Sequence, residues 1–317
     1  MTDNIRKVLF IDTAHPCLEQ DLSKLGFQCD YFPLYTKKDF EKCINKYFGI
    51  IIRSKINIDK NIIDKATNLK FIARVGSGME NIDVKYAKSK GIACLNSPEG
   101  NRDAVGEHVL GMLLALFNNL CRANNQIRKG IWLREENRGI EIKGKTIGII
   151  GYGNMGTAFA KRLKGFEANI IAYDKYKFDY SDEYVTENTL EQIFKKSDIL
   201  SLHVPLTEET TYMINNEFIN KFKKNIYIIN SSRGKVVKTN DLVKNIKSEK
   251  VSGAALDVIE YENISFESLQ KDNFPNAFQY LINSDNVVLS SHIAGWTIES
   301  KIKLSKVLVD KIKLLCC

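Results

Sequence analysis

The segment KTIGIIGYGNMG, residues 145–156, constrains the fold more than any other part of this sequence. A short β-branched run leads into three glycines, Gly151, Gly153 and Gly156, and the amphipathic stretch TAFAKRLKGF follows. Glycines with this spacing between a strand and a helix permit a tight turn, a close approach of phosphate to the backbone and close packing of helix on strand. The segment therefore predicts the first βαβ unit of a doubly wound parallel sheet.

The residue that closes the next predicted strand indicates which dinucleotide such a loop would hold. That strand, NIIAYD, ends at Asp174. A carboxylate at this point accepts hydrogen bonds from a ribose 2′-hydroxyl and repels a 2′-phosphate, so the pattern favours NAD over NADP. Lys175 and Lys177 weaken that preference. The alternative is that the three glycines serve an ordinary strand-to-helix turn.

The rest of the chain alternates short apolar runs with amphipathic stretches, which is typical of parallel sheets covered by helices. The first series of predicted strands is KVLFI, FQCDYF, GIIIR, KFIARV and GIACL, and the second is KTIGIIG, NIIAYD, DILSLHV, NIYIIN, SGAALDV and NVVLS. One long helical segment at about residues 103–130 lies between the two series. A last helix at residues 297–315 is a candidate to complete the first domain. The sequence thus predicts two α/β domains joined near residue 100.

Composition limits the class of protein. The 317 residues are 44% hydrophobic, and the formal charge of +8 comes mostly from scattered lysines, so a nucleic-acid partner is not expected. The longest apolar helical run, residues 109–117, is shorter than the ~20 residues of a membrane span. Seven cysteines without a C-x-x-C pair are typical of reduced thiols. We expect a cytoplasmic protein without a membrane or metal partner.

Three ionisable residue types follow predicted strands of the second series, where doubly wound folds bind ligands. Arg233 follows NIYIIN, Glu260 and Glu262 follow SGAALDV, and His292 follows NVVLS. Histidine can take or give a proton near neutral pH, a carboxylate can orient it, and a guanidinium can grip a substrate carboxylate. The set suits oxidation of a 2-hydroxy acid. Each residue alone also has a structural explanation: a surface turn, a solvated loop and a hydrogen-bonded core histidine.

The sequence resembles the D-isomer-specific 2-hydroxyacid dehydrogenases over essentially its whole length. Among these enzymes it most resembles the D-3-phosphoglycerate dehydrogenases. The motifs that carry the resemblance are RVGSGMENID, NSPEGNRDAVGEH, GKTIGIIGYGNMG, LHVPLTEETTYMI, INSSRGKVV, GAALDVIEYE and LSSHIAGWT. The resemblance implies a discontinuous flavodoxin-like substrate domain, residues 1–100 and 296–317, and a Rossmann NAD-binding domain, residues 101–295, with the active site in a cleft between them. The C-terminal regulatory domain of longer phosphoglycerate dehydrogenases is not expected.

The resemblance also implies roles for individual residues. Arg233 would bind substrate, His292 would be the acid/base, and Glu262 would be its carboxylate partner. The implied cofactor-binding residues are Gly151, Tyr152, Gly153, Asn154, Met155, Gly156, Asp174, His203, Pro205, Thr210 and Asp257, the last of which also influences the histidine. The implied substrate-binding residues are Ser77, Gly78 and Asn101. The helix after Asn101, with Trp132 beyond it, corresponds to the family's homodimer interface.

The identity of the substrate depends on two further arginines. Arg53 and Arg74 end predicted strands of the first series, and extra cations suit a substrate that carries a phosphate as well as a carboxylate. This favours oxidation of 3-phosphoglycerate with NAD, the first step of serine biosynthesis. Arg53 as a simple strand cap is the alternative. Rival functions on the same scaffold are a glyoxylate or hydroxypyruvate reductase, a D-lactate-type dehydrogenase, and an NAD-sensing corepressor.

Overall fold

The computed structural model describes residues 6–262 and 274–316, and these residues divide into two units. The first unit lies within Met1–Asn101 and Trp296–Cys317, and the second runs from Arg102 to Gly295. Each unit contains its own parallel sheet and its own buried apolar clusters. The two predicted series of strands are therefore two separate sheets.

The sheet of the first unit has five parallel strands in the order β2-β1-β3-β4-β5. They are β1 (Arg6–Phe10), β2 (Phe27–Tyr31), β3 (Gly49–Ile52), β4 (Phe71–Arg74) and β5 (Ala93–Leu95). The helices that connect them are α1 (Pro16–Lys24), α2 (Lys37–Cys43), α3 (Lys60–Lys65) and α4 (Val84–Ser89). Strands β3 and β4 are buried at every residue, because helices cover both faces of a parallel sheet. This strand order is the flavodoxin-like one.

Two helices follow β5 where the sequence predicts one. They are α5 (Pro98–Phe117) and α6 (Leu120–Ile127). The predicted single helix over residues 103–130 is wrong because Asn119 takes the left-handed conformation, with φ of 52°, and interrupts the helical hydrogen bonding. Asparagine tolerates this conformation better than most residues. Within the described residues no single helix could span a membrane by length and composition, and α5 and α6 together bend by 62°.

The second unit contains a seven-stranded parallel sheet in the order β12-β11-β10-β9-β6-β7-β8. The strands are β6 (Thr146–Ile150), β7 (Asn169–Tyr173), β8 (Thr186–Glu187), β9 (Ile199–Leu202), β10 (Ile226–Asn230), β11 (Val251–Leu256) and β12 (Val287–Leu289). Its further helices are α7 (Asn154–Leu163), α8 (Leu190–Lys196), α9 (Asn216–Asn220), α10 (Thr239–Lys247) and α11 (Asn276–Ile282). The chain leaves β6 towards β7 on one side and returns to β9 on the other. The crevice for a dinucleotide in such a sheet lies at the carboxyl end of β6.

The last helix, α12 (Ile298–Cys316), belongs to the first unit. Its buried residues Leu308 and Ile312 share an apolar cluster with Leu18 and Leu22 of α1. The predicted helix over residues 297–315 is confirmed, and it completes the core of the first unit. The first unit therefore needs both ends of the chain.

Candidate active site

The glycine-rich loop after β6 is shaped as a phosphate-binding turn. Gly151 has φ of +94°, and a Cβ there would lie 2.5 Å from the carbonyl oxygen of His203. A Cβ at Gly156 would lie 2.2 Å from the carbonyl oxygen of Gly151, which allows α7 to start directly beneath the loop. At Gly153, by contrast, a Cβ would meet no atom within 4 Å. The loop is therefore closely packed at Gly151 and Gly156 and open at Gly153. At the open side an anion can reach the N–H groups at the start of α7.

The carboxylate of Asp174 lies against this loop. Its two oxygens accept hydrogen bonds from the backbone N–H groups of Tyr152, at 2.8 Å, and Tyr176, at 2.9 Å. The hydroxyl of Tyr180 accepts from the Asp174 N–H at 2.9 Å and donates to the Ala172 carbonyl at 2.9 Å. Because a carboxylate oxygen has two lone pairs, each oxygen of Asp174 can still accept from a ribose hydroxyl. These hydrogen bonds fix the Asp174 side chain beside the glycine-rich loop.

A cavity of about 520 Å³ opens at the start of α7. It is lined by Gly153 and Asn154 of the loop and by the cationic side chains of Arg102, Lys161 and Lys177, among others. The Lys177 ammonium also donates to the carbonyl of Tyr152 at 2.9 Å. A pyrophosphate needs cationic surroundings and backbone N–H donors, and both are present here. The residues present therefore fit NAD: glycines for the pyrophosphate and Asp174 for a ribose.

The loop after β9 forms the other side of the crevice. The N–H of His203 donates to the Ile150 carbonyl at 2.8 Å, which fixes this loop to the end of β6. The hydroxyl of Thr210 donates to the carbonyl of Pro205 at 2.6 Å and closes the loop on itself. Burial lowers the pKa of His203 to about 4, so its imidazole is neutral at pH 7. His203 is thus an uncharged residue that packs at one side of the crevice.

The carboxyl ends of β10, β11 and β12 are neighbours in the sheet, and each leads into a loop with a predicted catalytic residue. Nδ1 of His292 lies 2.7 Å from Oε2 of Glu262, and both side chains are largely buried. The other oxygen of Glu262 accepts from the Ile259 N–H at 2.5 Å, which fixes the carboxylate. A carboxylate can only accept, so Nδ1 carries the proton. Nε2 then carries the lone pair of the neutral ring.

The loop after β10 positions Arg233. Fully buried Asn230 accepts from the N–H and hydroxyl of Ser232, at 3.0 and 2.7 Å, and its amide donates to the Arg233 carbonyl at 3.0 Å. The Arg233 guanidinium donates from Nη1 to the Ser232 carbonyl at 2.7 Å. A Cβ at Gly234 would lie only 1.9 Å from the Ile259 carbonyl oxygen, so this loop packs directly on the loop after β11. The backbone around Arg233 is therefore rigid.

Asp257, which the sequence predicts as a cofactor contact, has a structural task in this arrangement. It is 1% exposed, and its carboxylate accepts from the Ser290 hydroxyl at 2.6 Å and from the N–H groups of Ile293 and Ala294, both at 2.9 Å. Burial alone would raise the pKa of Asp257, but the hydrogen bonds from His108, Ser290 and the backbone outweigh it and lower the pKa. Asp257 remains ionised and holds the loop that carries His292.

The predicted substrate-binding residues lie in the first unit, in two groups. Ser77 donates from its hydroxyl to Oδ1 of Asn101 at 2.7 Å, and Gly78 follows it in the loop after β4. The Arg53 guanidinium lies 4.6 Å from the ring centroid of Trp296. Arg74 is 8% exposed, and its Nε donates to the Arg53 carbonyl at 3.2 Å. Arg74 therefore supports the backbone of Arg53 from inside the unit.

Two contributions to these sites have no signal in the sequence analysis. Oδ2 of Asp12, after β1, accepts from the backbone N–H groups of residues 53, 54 and 55, at 2.6, 3.0 and 3.1 Å. His108 of α5 lies against Asp257 and Ser290. Both residues belong to elements that are distant in sequence from their partners.

Comparison with known proteins adds a family to this geometry. The model of the D-isomer specific 2-hydroxyacid dehydrogenase NAD binding domain matches residues 110–294. A hydroxypyruvate reductase from Thermotoga maritima is 40% identical over 87% of this chain and 87% of its own. A D-3-phosphoglycerate dehydrogenase from Archaeoglobus fulgidus is 32% identical over 94% of this chain, but over only 56% of its own length.

Solved structures agree with these matches. The crystal structure of D-lactate dehydrogenase from Aquifex aeolicus, complexed with NAD and lactic acid, superposes with a TM-score of 0.83 at 28% identity. It covers 97% of this chain and 94% of that one. The chain belongs to the D-isomer-specific 2-hydroxyacid dehydrogenase family and is an NAD-dependent oxidoreductase of 2-hydroxy acids.

Proposed function

We propose that this protein is a D-3-phosphoglycerate dehydrogenase, which oxidises 3-phosphoglycerate to 3-phosphohydroxypyruvate in the first step of serine biosynthesis. The observation that carries the proposal is the placement of Arg53. Its guanidinium lies over the Trp296 ring, and no acceptor within the described residues takes a hydrogen bond from it. Stacking uses the face of a guanidinium and leaves its N–H edge available, and that edge matches a phosphate group.

The surroundings of Arg53 support an anion-binding role over a strand cap. Asp12 accepts from the Arg53 backbone N–H, so the cap of β3 is provided by another residue. Nε of Arg74 donates a hydrogen bond to the Arg53 carbonyl. The Arg53 side chain thus stands on a fixed backbone. A rigid cation costs little entropy on binding, which favours recognition of a dianionic group.

In the proposed reaction Arg233 binds the substrate carboxylate and His292 takes the hydroxyl proton on Nε2. Glu262 holds the imidazole by Nδ1 and stabilises the positive charge that forms on it. Bound NAD would supply the acceptor for the hydride that leaves the same carbon atom. The alcohol C–H bond and O–H bond are both broken, and a ketone, NADH and a protonated histidine result. In the reverse direction His292 donates the proton.

A substrate panel followed by NADH absorbance tests the proposal. We expect 3-phosphohydroxypyruvate to be reduced with NADH, faster than 3-phosphoglycerate is oxidised with NAD, because reduction is the easier direction. Arg53→Ala should raise KM for the phosphorylated substrate about 10- to 100-fold, since a charged hydrogen bond contributes about 1.5–3 kcal/mol. The unphosphorylated hydroxypyruvate should keep its KM within about twofold, because it lacks the group that Arg53 would bind.

The neighbouring cation Lys55 provides a matched control. It is exposed and its ammonium donates to the Pro33 carbonyl at 2.7 Å. Lys55→Ala removes the same charge nearby without removing the proposed ligand, so KM should not change. An unchanged KM in Arg53→Ala, or an equal rise for both substrates, would contradict the phosphate assignment.

Reduction of unphosphorylated hydroxypyruvate is the second candidate function. It is supported by the Thermotoga maritima hydroxypyruvate reductase, which is 40% identical to this chain. The same panel distinguishes the two. A kcat/KM for hydroxypyruvate equal to or above that for its phosphorylated form would favour this candidate, and the same preference for glyoxylate or pyruvate would favour the other reductases.

We further propose that the protein is a homodimer. An apolar patch at the C-terminal end of α6 includes Ile127, Ile131 and Trp132, which are 52%, 42% and 75% exposed. The patch surrounds a cavity of about 230 Å³. Exposed apolar clusters of this kind are typical of association surfaces. Sedimentation should give a dimer that Trp132→Glu dissociates. Phe178→Glu is the control, because Phe178 is 76% exposed and outside the patch. A monomeric wild-type protein would contradict the proposal.

A further inference from the structure

The backbone that carries His292 is wound around one buried carboxylate. The His292 N–H donates to the Asp257 carbonyl at 2.7 Å, and the next two N–H groups, of Ile293 and Ala294, donate to the Asp257 carboxylate. His292 itself has φ of 56°, a left-handed backbone conformation that residues other than glycine rarely adopt. Such a conformation persists only where the surroundings hold it. The position of His292 therefore depends on how firmly Asp257 is held.

A second histidine lies on the opposite side of that carboxylate. Nε2 of His108 is 3.0 Å from the Ser290 hydroxyl oxygen and 3.4 Å from Oδ1 of Asp257. The His108 side chain is 24% exposed, whereas that of Asp257 is fully buried. His108 is on α5, a helix distant in sequence from both partners. The proposed reaction assigns no role to His108.

The hydrogen bonds fix which ring nitrogen of His108 carries a proton. The Ser290 hydroxyl donates its one hydrogen to Oδ1 of Asp257 at 2.6 Å. Its oxygen then offers only lone pairs to His108, and the carboxylate offers only lone pairs as well. A lone pair on Nε2 would be repelled by both oxygens. Nε2 therefore carries a hydrogen and donates to the Ser290–Asp257 pair.

We infer that His108 is a positioning residue for the acid/base histidine, because its Nε2–H group holds Asp257 and Ser290 and thereby the loop that presents His292. This inference rests on the proposed role of His292 in proton transfer. The role assigned to His108 acts through Ser290 and Asp257 and requires no contact with substrate. Its hydrogen bond goes to the Ser290 hydroxyl oxygen, and its Nε2 lies 3.4 Å from the Asp257 carboxylate. That carboxylate has no contact with solvent and accepts hydrogen bonds from the Ser290 hydroxyl and two backbone N–H groups. Removal of one donor leaves a buried charge short of a partner, and the loop shifts to compensate.

Two amide replacements of different length test the inference. In His108→Gln the side-chain NH2 reaches about the position of Nε2, whereas in His108→Asn it ends near Nδ1. We expect His108→Asn to lower kcat about 10- to 100-fold, as a displacement of about 1 Å at a catalytic group can do. His108→Gln should restore kcat to within about threefold of the wild type, since it supplies the same donor. KM and the Kd of NADH should stay within about threefold in both variants, because the proposed role of His108 concerns the position of the acid/base histidine and not the binding of either ligand.

Further variants separate this inference from the proposed function. Ser290→Ala removes the bridging hydroxyl and should lower kcat in the same way, with little extra loss when combined with His108→Asn. If His108→Asn fails to fold, judged by its thermal melt, Ser290→Ala alone decides. Equal rates in the Asn and Gln variants, or a normal kcat in His108→Asn, would overturn the positioning role. A normal rate in His292→Gln would instead overturn the acid/base assignment, whatever the His108 variants do.

Discussion

The imidazole of His203, whose Nδ1 is buried, makes the stability of the protein depend on pH. Its ring lies 5.7 Å from that of Phe159, centroid to centroid, and its Nε2 lies 2.8 Å from the Ser201 hydroxyl oxygen. Within the described residues Nδ1 has no hydrogen-bond partner and is buried. Burial penalises the charged form and lowers the pKa from 6.5 to about 4. Folding therefore keeps this histidine neutral where an unfolded chain would protonate it.

The size of the effect follows from the two pKa values. As the pH falls below 6.5 the unfolded state binds a proton that the folded state refuses until about pH 4, so stability decreases over that interval. A difference of about 2.5 pH units, at about 1.4 kcal/mol each, gives a total of about 3 to 4 kcal/mol. Between pH 7 and pH 5 the loss is about 2 kcal/mol. Above pH 7 His203 contributes no pH dependence.

Urea denaturation of the wild type and of His203→Phe measures this term. Phenylalanine keeps an apolar ring in the site and cannot titrate. From pH 7 to pH 5 the wild type should lose about 2 kcal/mol more free energy of unfolding than the variant, and from pH 7 to pH 9 the two should run parallel. NMR of the wild-type imidazole should show no titration of His203 down to pH 5. Parallel curves over the acid range, or a titration near pH 6.5, would refute the reasoning.

Three further substitutions test other parts of the structure. Gly151→Ala places a Cβ 2.5 Å from the His203 carbonyl oxygen at a φ of +94°, so it should destabilise by more than about 1 kcal/mol in urea and weaken NADH binding in a fluorescence titration. Asp12→Ala leaves three backbone N–H groups without their acceptor, so it should cost about 1–3 kcal/mol of stability and raise KM for the phosphorylated substrate. Asp174→Ala removes both the ribose acceptor and the repulsion of a 2′-phosphate, so the ratio of NADPH to NADH dissociation constants should fall. An unchanged ratio would remove Asp174 from the cofactor site.

Most of the fold could be predicted because its strands are short apolar runs between clear helical segments. Every predicted strand is present, and the glycine loop joins β6 and α7 as expected. The sequence does not reveal β8 because this strand has only two residues, Thr186–Glu187, and both are polar. They form a strand by pairing with β7. It also does not reveal the break between α5 and α6, because one left-handed asparagine interrupts an otherwise helical pattern. Local pattern predicts elements better than it predicts their interruptions.

For the active site, residues that end strands could be predicted and residues that brace them could not. Parallel strands bring their carboxyl ends to one edge, so Glu262 and His292 were expected to be neighbours, and they lie 2.7 Å apart. Asp12 and His108 act through contacts with loops far along the chain, and only the folded structure shows those contacts. Arg74 is a further example, since its burial beneath Arg53 depends on the packing of β3 and β4.

Proton transfer by His292 during turnover of a 2-keto acid is the central feature of the proposed mechanism. The decisive measurement is the rate of NADH oxidation with 3-phosphohydroxypyruvate for the wild type and for His292→Gln, with NADH affinity measured on the same preparations. We expect turnover by the wild type and a rate lower by about 10²- to 10⁴-fold in the variant, at unchanged NADH affinity. A variant with the wild-type rate, or a wild type that binds NADH and reduces no 2-keto acid, would contradict the account.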